Sequence, residues 1–342
     1  MADRPVVSIV VPVYNGSDYL AEALDSALSQ TYGSVEVVVV NDGSTDGGAT
    51  ADVARRYGDR IRYFEKPNGG VASALNLGIQ EMRGDWFCWL SHDDIYLPRR
   101  VEAAVDWLSA HPSGRACYAG YRLITATREP ISDHPCPWYP REEALRIMMG
   151  GHYIGGCTMT VHRSLLREVG PFDEALRLTQ DTEMWLRLME RCELGRVPEI
   201  LVLTRVHAAQ DGVVHEERMV REGIGAYRRH LDLHGLPGVC PPLAGPLATG
   251  RDRARALIHL GDTLLRHRRR DALALEMFRE ALVTWPSIRN PARWRLIALV
   301  RHAIMEPNWK ILLYRWFPRI VTAGRSVLSR FRRRRSSPEV CG

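Results

Sequence analysis

The chain has 342 residues, of which 45% are hydrophobic and 25% are charged, an ordinary composition for a folded protein with a substantial core. No stretch approaches eighteen consecutive apolar residues, which argues against a spanning helix, and the N-terminal residues lead directly into a strand, which leaves no room for a signal peptide. The seven cysteines include no Cys-x-x-Cys pair, so we expect neither a zinc site nor a disulfide framework, and a reducing cytoplasm as the location.

The first hundred residues alternate between strand and helix patterns. β-Branched or apolar runs predict strands over residues 6–13, 35–40, 61–64 and 86–90. Helical patterns follow them, beginning near Asp18, residue 48, Asn68 and Pro98, and Asp18 is the expected N-cap of the first helix. This alternation is typical of βαβ units and predicts an α/β fold with a mostly parallel sheet.

The alternation loosens beyond residue 115. We expect strands over 116–124, 157–162 and 197–206, a loop over 127–140, and helices over 141–149 and 181–192. Beyond about residue 215 only helical patterns remain, and 257–266 with 271–284 predict a helical hairpin similar to one tetratricopeptide unit. The predicted organisation is a catalytic domain over 1–214, a helical extension over 215–306 with the hairpin inside 255–286, and a basic tail over 307–342.

The positive charge is concentrated in that tail. Residues 307–338 hold nine Lys and Arg and no acid, so without them the formal net charge of +6 would become −3. Aromatic and apolar residues alternate with these cations at roughly helical spacing, which favours peripheral contact of 307–335 with an anionic membrane surface. A packing helix followed by a solvated Arg run is the structural alternative, and nothing else in the sequence supports nucleic-acid binding.

The stretch over 85–94 brings chemistry to the end of a strand. Its apolar residues change abruptly to Ser91-His-Asp93-Asp94. Because ligands bind outside the carboxyl ends of strands in open α/β sheets, we expect these polar side chains to line a ligand site.

Four motifs in order resemble one family. They are Ser8-Ile-Val-Val-Pro-Val-Tyr-Asn15, Val39-Val-Asn-Asp-Gly-Ser-Thr-Asp46, Asn68-Gly-Gly70 and Trp89-Leu-Ser-His-Asp-Asp94. Over about residues 5–210 the chain resembles glycosyltransferase family 2, of the bacterial surface-glycan type. The resemblance implies the GT-A nucleotide-diphospho-sugar transferase fold, with an inverting transfer from a UDP-, dTDP- or GDP-linked sugar to a glycan or lipid-linked hydroxyl.

The resemblance also implies where the nucleotide binds. Asp42 stands where family members accept a hydrogen bond from the nucleobase, and a pyrimidine imide offers such an N–H donor. Pro12, Tyr14 and Asn15 are expected to line the same edge. From the residues alone, Asp42 also fits an ordinary turn or helix-capping aspartate.

Family members carry an Asp-x-Asp triplet whose last acid binds a divalent cation. Asp93 matches that position and predicts an Mn²⁺ or Mg²⁺ ligand, because both ions suit carboxylate and phosphate oxygens. Ser91 stands in place of the first acid. Its hydroxyl is expected to form a hydrogen bond with the ribose or a water. Asp94 also fits the capping residue of the next helix, and His92 stays unassigned.

The base implied by the resemblance is Asp181, within Thr179-Gln-Asp-Thr-Glu183. Inversion needs a carboxylate that takes a proton from the acceptor hydroxyl as the hydroxyl attacks. Asp181 also fits an ordinary first-turn acid of a helix, and Glu183 is the weaker competitor for the role.

Basic groups near residue 206 complete the predicted site. Arg205 is expected to approach the donor's diphosphate, and His207 is either a metal ligand or phosphate donor, or an ordinary polar strand end. Leu75 stands where many relatives carry an arginine. The metal, Arg205 or His207 is therefore expected to neutralise more of the phosphate charge.

Two other functions remain open from the sequence. A catalytically inactive scaffold of the same fold is compatible with Ser91 and Leu75, although Asp93 and Asp181 together argue against it. A sugar nucleotidyltransferase is disfavoured because no Gly-rich loop with a following cation appears after the first strand. A dinucleotide-dependent dehydrogenase is excluded because no strand is followed by Gly-x-Gly-x-x-Gly.

Overall fold

The structure, a computed structural model, describes residues 4–136, 148, 153–207, 216–239, 249–265, 271–287, 290–293 and 295–296. Contacts divide the chain into two compact units, Met1–Pro241 and Pro242–Gly342. The boundary expected from the sequence lay at 214/215, whereas the contacts keep the helix after residue 215 with the first unit. Most of the expected 141–149 helix and all of the basic tail over 307–342 lie outside the described residues.

The first unit combines nine strands with seven helices among its described residues. The strands are β1 (Val7–Val13), β2 (Val35–Asn41), β3 (Arg62–Glu65), β4 (Trp86–Trp89), β5 (Ile95–Tyr96), β6 (Ala116–Ile124), β7 (Pro130–His134), β8 (Met159–His162) and β9 (Gly195–Arg205). The helices are α1 (Leu20–Leu28), α2 (Ala49–Arg55), α3 (Val71–Glu81), α4 (Arg100–Ala110), α5 (Arg163–Val169), α6 (Gln180–Arg191) and α7 (Glu216–Val239).

The strands form one mixed sheet in the order β3-β2-β1-β4-β8-β6-β9-β5, and β7 pairs with β6. β3, β2, β1 and β4 are parallel, and every residue of β1 is buried, as expected for a central strand covered on both faces. The register pairs Val13 with Asn41 and Val10 with Trp89. The residues that follow β1, β2 and β4 therefore share one edge of the sheet.

The second half of the sheet brings the end of β9 to the same edge. β8 is antiparallel to both β4 and β6, and β9 runs parallel to β6. Short β5 pairs antiparallel with β9, Ile95 opposite Leu203. This pairing places the Asp93-Asp94 turn beside Arg205.

Two expectations about local structure were wrong. Residues 130–134, expected in a loop, form β7, because Arg122 and Asp133 pair across the strands and the Tyr121 and His134 rings stack at 4.6 Å. Asp18 does not cap α1: the capping residue is Tyr19, which makes no side-chain capping hydrogen bond.

The second unit contains the predicted helical hairpin, formed by α8 (Gly250–Leu265) and α9 (Asp271–Thr284). Phe278 is fully buried, and a Cβ on Gly261 would lie 2.4 Å from its ring, so the two helices require a glycine at this approach. The tetratricopeptide-like character of the hairpin stays a prediction. No helix among the described residues is both long and apolar enough to cross a membrane.

Candidate active site

Asp42 follows β2 and anchors the loop that leads into α3. Its Oδ1 accepts hydrogen bonds from Lys66 Nζ at 2.8 Å and Gly69 N at 2.9 Å, and its Oδ2 accepts one from Gly70 N at 2.6 Å. Gly43 has a φ of +71°, and a Cβ there would lie 2.6 Å from Asn68 N, so a side chain would push this loop away. Asp42 therefore organises the rim next to β2, and its Oδ2 keeps a lone pair for a further donor.

The turn after β1 interlocks with the turn after β2. Asn15 has a φ of 49°, its backbone N–H donates to Ser44 Oγ at 2.9 Å, and its Oδ1 accepts from Thr45 N at 2.7 Å. Tyr14 is exposed, with its hydroxyl 3.4 Å from Thr45 Oγ1. Pro12 is buried within β1. The structure thus brings Tyr14 and Asn15 to the same rim as Asp42, with Pro12 beneath them.

Asp93 and His207 meet where the β4 and β9 ends converge. His207 Nε2 lies 3.0 Å from Asp93 Oδ2, and both side chains remain partly accessible to solvent. The imidazole also contacts the Tyr19 ring at a centroid distance of 5.4 Å. Two groups far apart in sequence, each singled out as a metal ligand, are therefore neighbours.

Asp94 has a structural role behind this pair. Its Oδ1 accepts from the Arg205 backbone N–H at 3.0 Å, which joins the β4–β5 turn to the end of β9. Burial, followed by the neighbouring Asp93 carboxylate, raises the pKa of Asp94. Ser91 is held from the other side, because its backbone N–H donates to Cys157 Sγ at 3.2 Å.

Arg205 is positioned differently from the prediction. Its side chain is only 1% exposed. Its Nε donates to Asp93 O at 3.0 Å and its Nη1 to Ala126 O at 2.6 Å, while Nη2 pairs with Glu22 of α1. To contact the donor's phosphates, this guanidinium would have to break its hydrogen bonds to three acceptors and move out of its buried position. In this geometry Arg205 positions the Asp93 turn.

Asp181 lies in the first turn of α6 and is buried. Its Oδ1 accepts from Thr182 N at 2.6 Å, and its Oδ2 accepts from Tyr153 Oη at 2.7 Å. Burial raises the pKa of Asp181, an effect that these hydrogen bonds oppose. Its competitor Glu183 is paired with Arg187 at 2.7 Å, which neutralises it. Asp181 is the better-placed base of the two.

A short segment connects the base to the β4 edge. Tyr153 contacts Asp181, and four positions later Cys157 Sγ lies 3.4 Å from Ser91 Oγ. Four residues span at most about 14 Å, so this segment links the base to the Asp93 turn over a short distance. A Cβ on Gly156 would lie 2.4 Å from the Trp89 ring, which keeps this segment tight against β4.

The Asp93 and His207 atoms fit a divalent cation. Neighbouring ligands of an octahedral ion with bonds of about 2.1 Å lie about 3 Å apart, which matches the 3.0 Å between Asp93 Oδ2 and His207 Nε2. No group of three or more His, Cys, Asp or Glu able to hold a metal occurs among the described residues. A cation here would therefore take its remaining ligands from donor phosphates and water.

Three neighbours of the site were not identified from the sequence. Lys66 binds Asp42, Tyr153 binds Asp181, and a Cβ on Gly70 would lie 2.2 Å from Arg177 Nη1. Lys66 follows β3 at the predicted edge of the sheet, so its position after a strand is visible in the sequence. Tyr153 and Arg177 carry no comparable signal, because their positions depend on how distant loops fold back.

The sheet, with its switch from parallel to antiparallel strands and its acids at the strand ends, defines a GT-A-type nucleotide-sugar transferase fold. Residues 8–170 match the family described as glycosyl transferase family 2. The chain is 44% identical over 211 residues to an uncharacterized glycosyltransferase of Rickettsia felis, covering 60% of this chain and 35% of that protein. It therefore spans about a third of that relative's length.

Solved structures share the fold at low sequence identity. Staphylococcus aureus TarS 1–349 in complex with UDP-GlcNAc has a TM-score of 0.57 at 14% identity, with 86% of this chain and 89% of that chain covered. The Pyrobaculum calidifontis mannosyltransferase PcManGT, in complex with GDP-Man and Mn²⁺, has a TM-score of 0.53 at 21% identity, with 91% and 84% covered. Both likenesses establish the fold.

Proposed function

We propose that this protein is an inverting, metal-dependent glycosyltransferase that moves a sugar from a nucleoside diphosphate to an acceptor hydroxyl. The observation that carries the proposal is the pairing of Asp93 with His207 at a turn to which Asp181 is linked through Tyr153 and Cys157. The match of residues 8–170 to glycosyl transferase family 2 supports the reaction class.

Asp181 acts as the general base. Its Oδ1 accepts two hydrogen bonds from Thr182 and its Oδ2 accepts one from Tyr153, so Oδ2, with fewer donors, is the oxygen that receives the proton from the acceptor hydroxyl. Direct displacement at the anomeric carbon needs one such carboxylate and no carboxylate nucleophile. The pairing of Glu183 with Arg187 is consistent with a single base, because Glu183 is held by a cation whereas the hydrogen-bond donors of Asp181 are the neutral groups of Thr182 and Tyr153.

Asp93 and His207 hold the divalent cation, Mn²⁺ or Mg²⁺. When bound, such an ion neutralises charge on the departing diphosphate. Arg205 and Asp94 keep the Asp93 turn in place by joining it to the end of β9. The Mn²⁺ in the PcManGT complex supports this assignment.

The nucleotide binds at the rim formed after β1 and β2. The unused lone pair of Asp42 Oδ2 accepts an imide N–H of the base, Tyr14 and Asn15 border it, and Pro12 supports the strand beneath. Ser91 contacts the ribose or a water. The UDP-GlcNAc and GDP-Man complexes of the structural neighbours support a nucleotide-sugar donor of the UDP, dTDP or GDP type.

The acceptor is proposed as a hydroxyl of a glycan or lipid-linked glycan in surface-polysaccharide or glycolipid assembly. The proposed location is cytoplasmic and peripheral to the inner face of the plasma membrane, through 307–335. The composition of that segment supports the location, because each basic residue near an anionic surface contributes about 1 kcal/mol.

The test is hydrolysis of a panel of UDP-, dTDP- and GDP-sugars with Mn²⁺, with Mg²⁺ and with EDTA. We expect metal-dependent release of one nucleoside diphosphate by the wild type and a loss of at least about a hundredfold in Asp93→Ala. Asp106→Ala, a surface aspartate of α4, is the matched control and should retain activity. Turnover that persists in EDTA contradicts the metal role. If no donor of the panel is hydrolysed and added nucleotide does not raise the melting temperature, the inactive scaffold is favoured.

A further inference from the structure

Tyr153 stands on the open side of the proposed base. Tyr153 is 55% exposed, although its hydroxyl donates to the buried carboxylate of Asp181, with 2.7 Å between the two oxygens. The exposed ring and the engaged hydroxyl together set Tyr153 apart, because a buried structural tyrosine would have its ring covered as well.

α6 itself holds this residue in position. Trp185 Nε1 donates to Ile154 O at 3.1 Å, and the Trp185 side chain is fully buried. Thr158 Oγ1 donates to Gly155 O at 2.7 Å and closes the turn on the far side. The backbone around Tyr153 is therefore fixed to the same helix that carries Asp181. The fold itself holds the phenol beside the carboxylate.

The contact selects one oxygen of the base. Thr182 N and Thr182 Oγ1 both donate to Oδ1, at 2.6 and 3.3 Å, whereas Tyr153 donates to Oδ2. An acceptor hydroxyl that approaches the carboxylate must therefore reach Oδ2 beside the phenol. The phenol hydrogen bond also favours the ionised carboxylate, the form that accepts a proton.

We propose that Tyr153 is a positioning residue on the acceptor side of the site, which aims Asp181 Oδ2 at the acceptor hydroxyl and offers its exposed ring to the acceptor. The proposal rests on the proposed transferase function. The ring suits an acceptor with an apolar face beside its hydroxyls, as a sugar ring has, because tyrosine combines an apolar body with a polar tip.

In the part of the chain that the structure describes, charged groups on α6 and on the facing side of α7 pair with one another. Glu183 is bound to Arg187 on the same helix. Across from α6, Glu222 of α7 is bound to Arg218, and buried His230 lies 3.0 Å from Glu190. Cys157 lies near Tyr153 in the chain and is buried against Ser91. A change in the titration of Asp181 on altering Tyr153 is thus assigned to the phenol.

The experiment compares Tyr153→Phe, Tyr153→Ala and Tyr121→Phe in the full chain. Tyr121 is the matched control, because its ring lies as near to Gly155 as the Tyr153 ring does, 3.7 Å from a Cβ placed there, and stacks on His134. The readout is the pH profile of Mn²⁺-dependent hydrolysis of the donor that the wild type cleaves, and circular dichroism confirms folding of each variant.

We expect Tyr153→Phe to lower kcat about tenfold and to move the acidic limb of the profile up by about one pH unit, since the ionised carboxylate loses a hydrogen bond. Tyr121→Phe should match the wild type. With an acceptor found among alkyl glycosides of the common hexoses, Tyr153→Ala should also raise the acceptor KM, whereas Tyr153→Phe should leave it unchanged.

The outcomes separate the two proposals. A wild type active on a donor, with a Tyr153→Phe variant of unchanged rate and pH profile and a Tyr153→Ala variant of unchanged acceptor KM, overturns the role of Tyr153 and leaves the transferase intact. A wild type that is inactive on every donor overturns the proposed function, and the inference falls with it. An unchanged profile with a raised acceptor KM in Tyr153→Ala removes the aiming role alone.

Discussion

At the scale of single residues, Asp181 stabilises the fold in its protonated form and acts as a base in its ionised form. Burial raises the pKa of Asp181 in the folded protein above its unfolded value. The folded state therefore favours the protonated acid, and the stability from this group is lost as pH rises through the folded pKa. Catalysis needs the opposite form, so activity rises with pH over the same window.

Asp181→Asn tests both halves of this conflict. We expect kcat to fall by about 10² to 10⁴, the usual contribution of a general base. The melting temperature at neutral pH should be unchanged or higher, because no buried charge remains. Thermal melting and donor hydrolysis measure the two effects separately. A variant that melts several degrees lower would mean that Asp181 chiefly supports the fold.

Arg205 and Arg128 form a natural comparison, because both pair with Glu22 from different environments. The Arg205 side chain is 1% exposed and Arg128 is 64% exposed. Arg205→Gln should lower the free energy of unfolding by about 3–5 kcal/mol, since it leaves buried acceptors unpaired. Arg128→Gln should stay within about 0.5 kcal/mol. Urea denaturation measures both, and equal losses would contradict the structural role of Arg205.

The residue scale also shows what a sequence can reveal. Asp93 and Asp181 were identifiable because each stands where an element begins or ends, and their motifs carry the resemblance. The fate of Arg205 was not, because its partner Glu22 lies 183 positions away. A sequence shows that a residue is charged, and only the fold shows which acceptors it uses.

At the scale of elements, the buried apolar strands of the parallel half were predictable, whereas short β5 and polar β7 were not. β1, β2 and β4 lie between other layers, so their runs of valine and aromatic residues indicate them directly. β7 contains Pro130, Asp133 and His134, which read as a loop. Its pairing with β6 comes from cross-strand contacts that no local pattern encodes.

α7 supports the start of α6 through one carboxylate. Glu222 Oε2 accepts from Arg177 N at 3.0 Å and Leu178 N at 2.9 Å, in the loop that leads to Asp181. We expect Glu222→Ala to cost about 1.5–3 kcal/mol of stability, as for hydrogen bonds to a charged group, and to lower kcat because the base is less firmly placed.

The matched control is Arg218→Ala. It removes the exposed partner of Glu222 and leaves both backbone hydrogen bonds in place. We expect a change within about 0.5 kcal/mol and wild-type donor hydrolysis. If Arg218→Ala were as damaging as Glu222→Ala, the ion pair rather than the backbone contacts would be what supports the loop.

At the scale of the whole molecule, the question is where the catalytic unit ends. The sequence placed its end at residue 214, because strands stop there. The contacts place it at Pro241, since Tyr227 Oη donates to Met148 O at 2.9 Å and His230 meets Glu190. Helical composition alone does not distinguish a helix that completes one core from a helix that begins another.

Two fragments decide between these boundaries. A chain ending at 241 should unfold cooperatively and gain melting temperature when Mn²⁺ and the nucleoside diphosphate released by the full chain are added. A chain ending at 214 lacks Glu222, Tyr227 and His230, and we expect it to melt at least about 5 °C lower, since each kcal/mol lost shifts a domain of this size by about 2–4 °C. Calorimetry measures both. Equal melting temperatures would show that α7 is dispensable to the sheet domain, and an unfolded 241 fragment would show that the second unit is needed for the first.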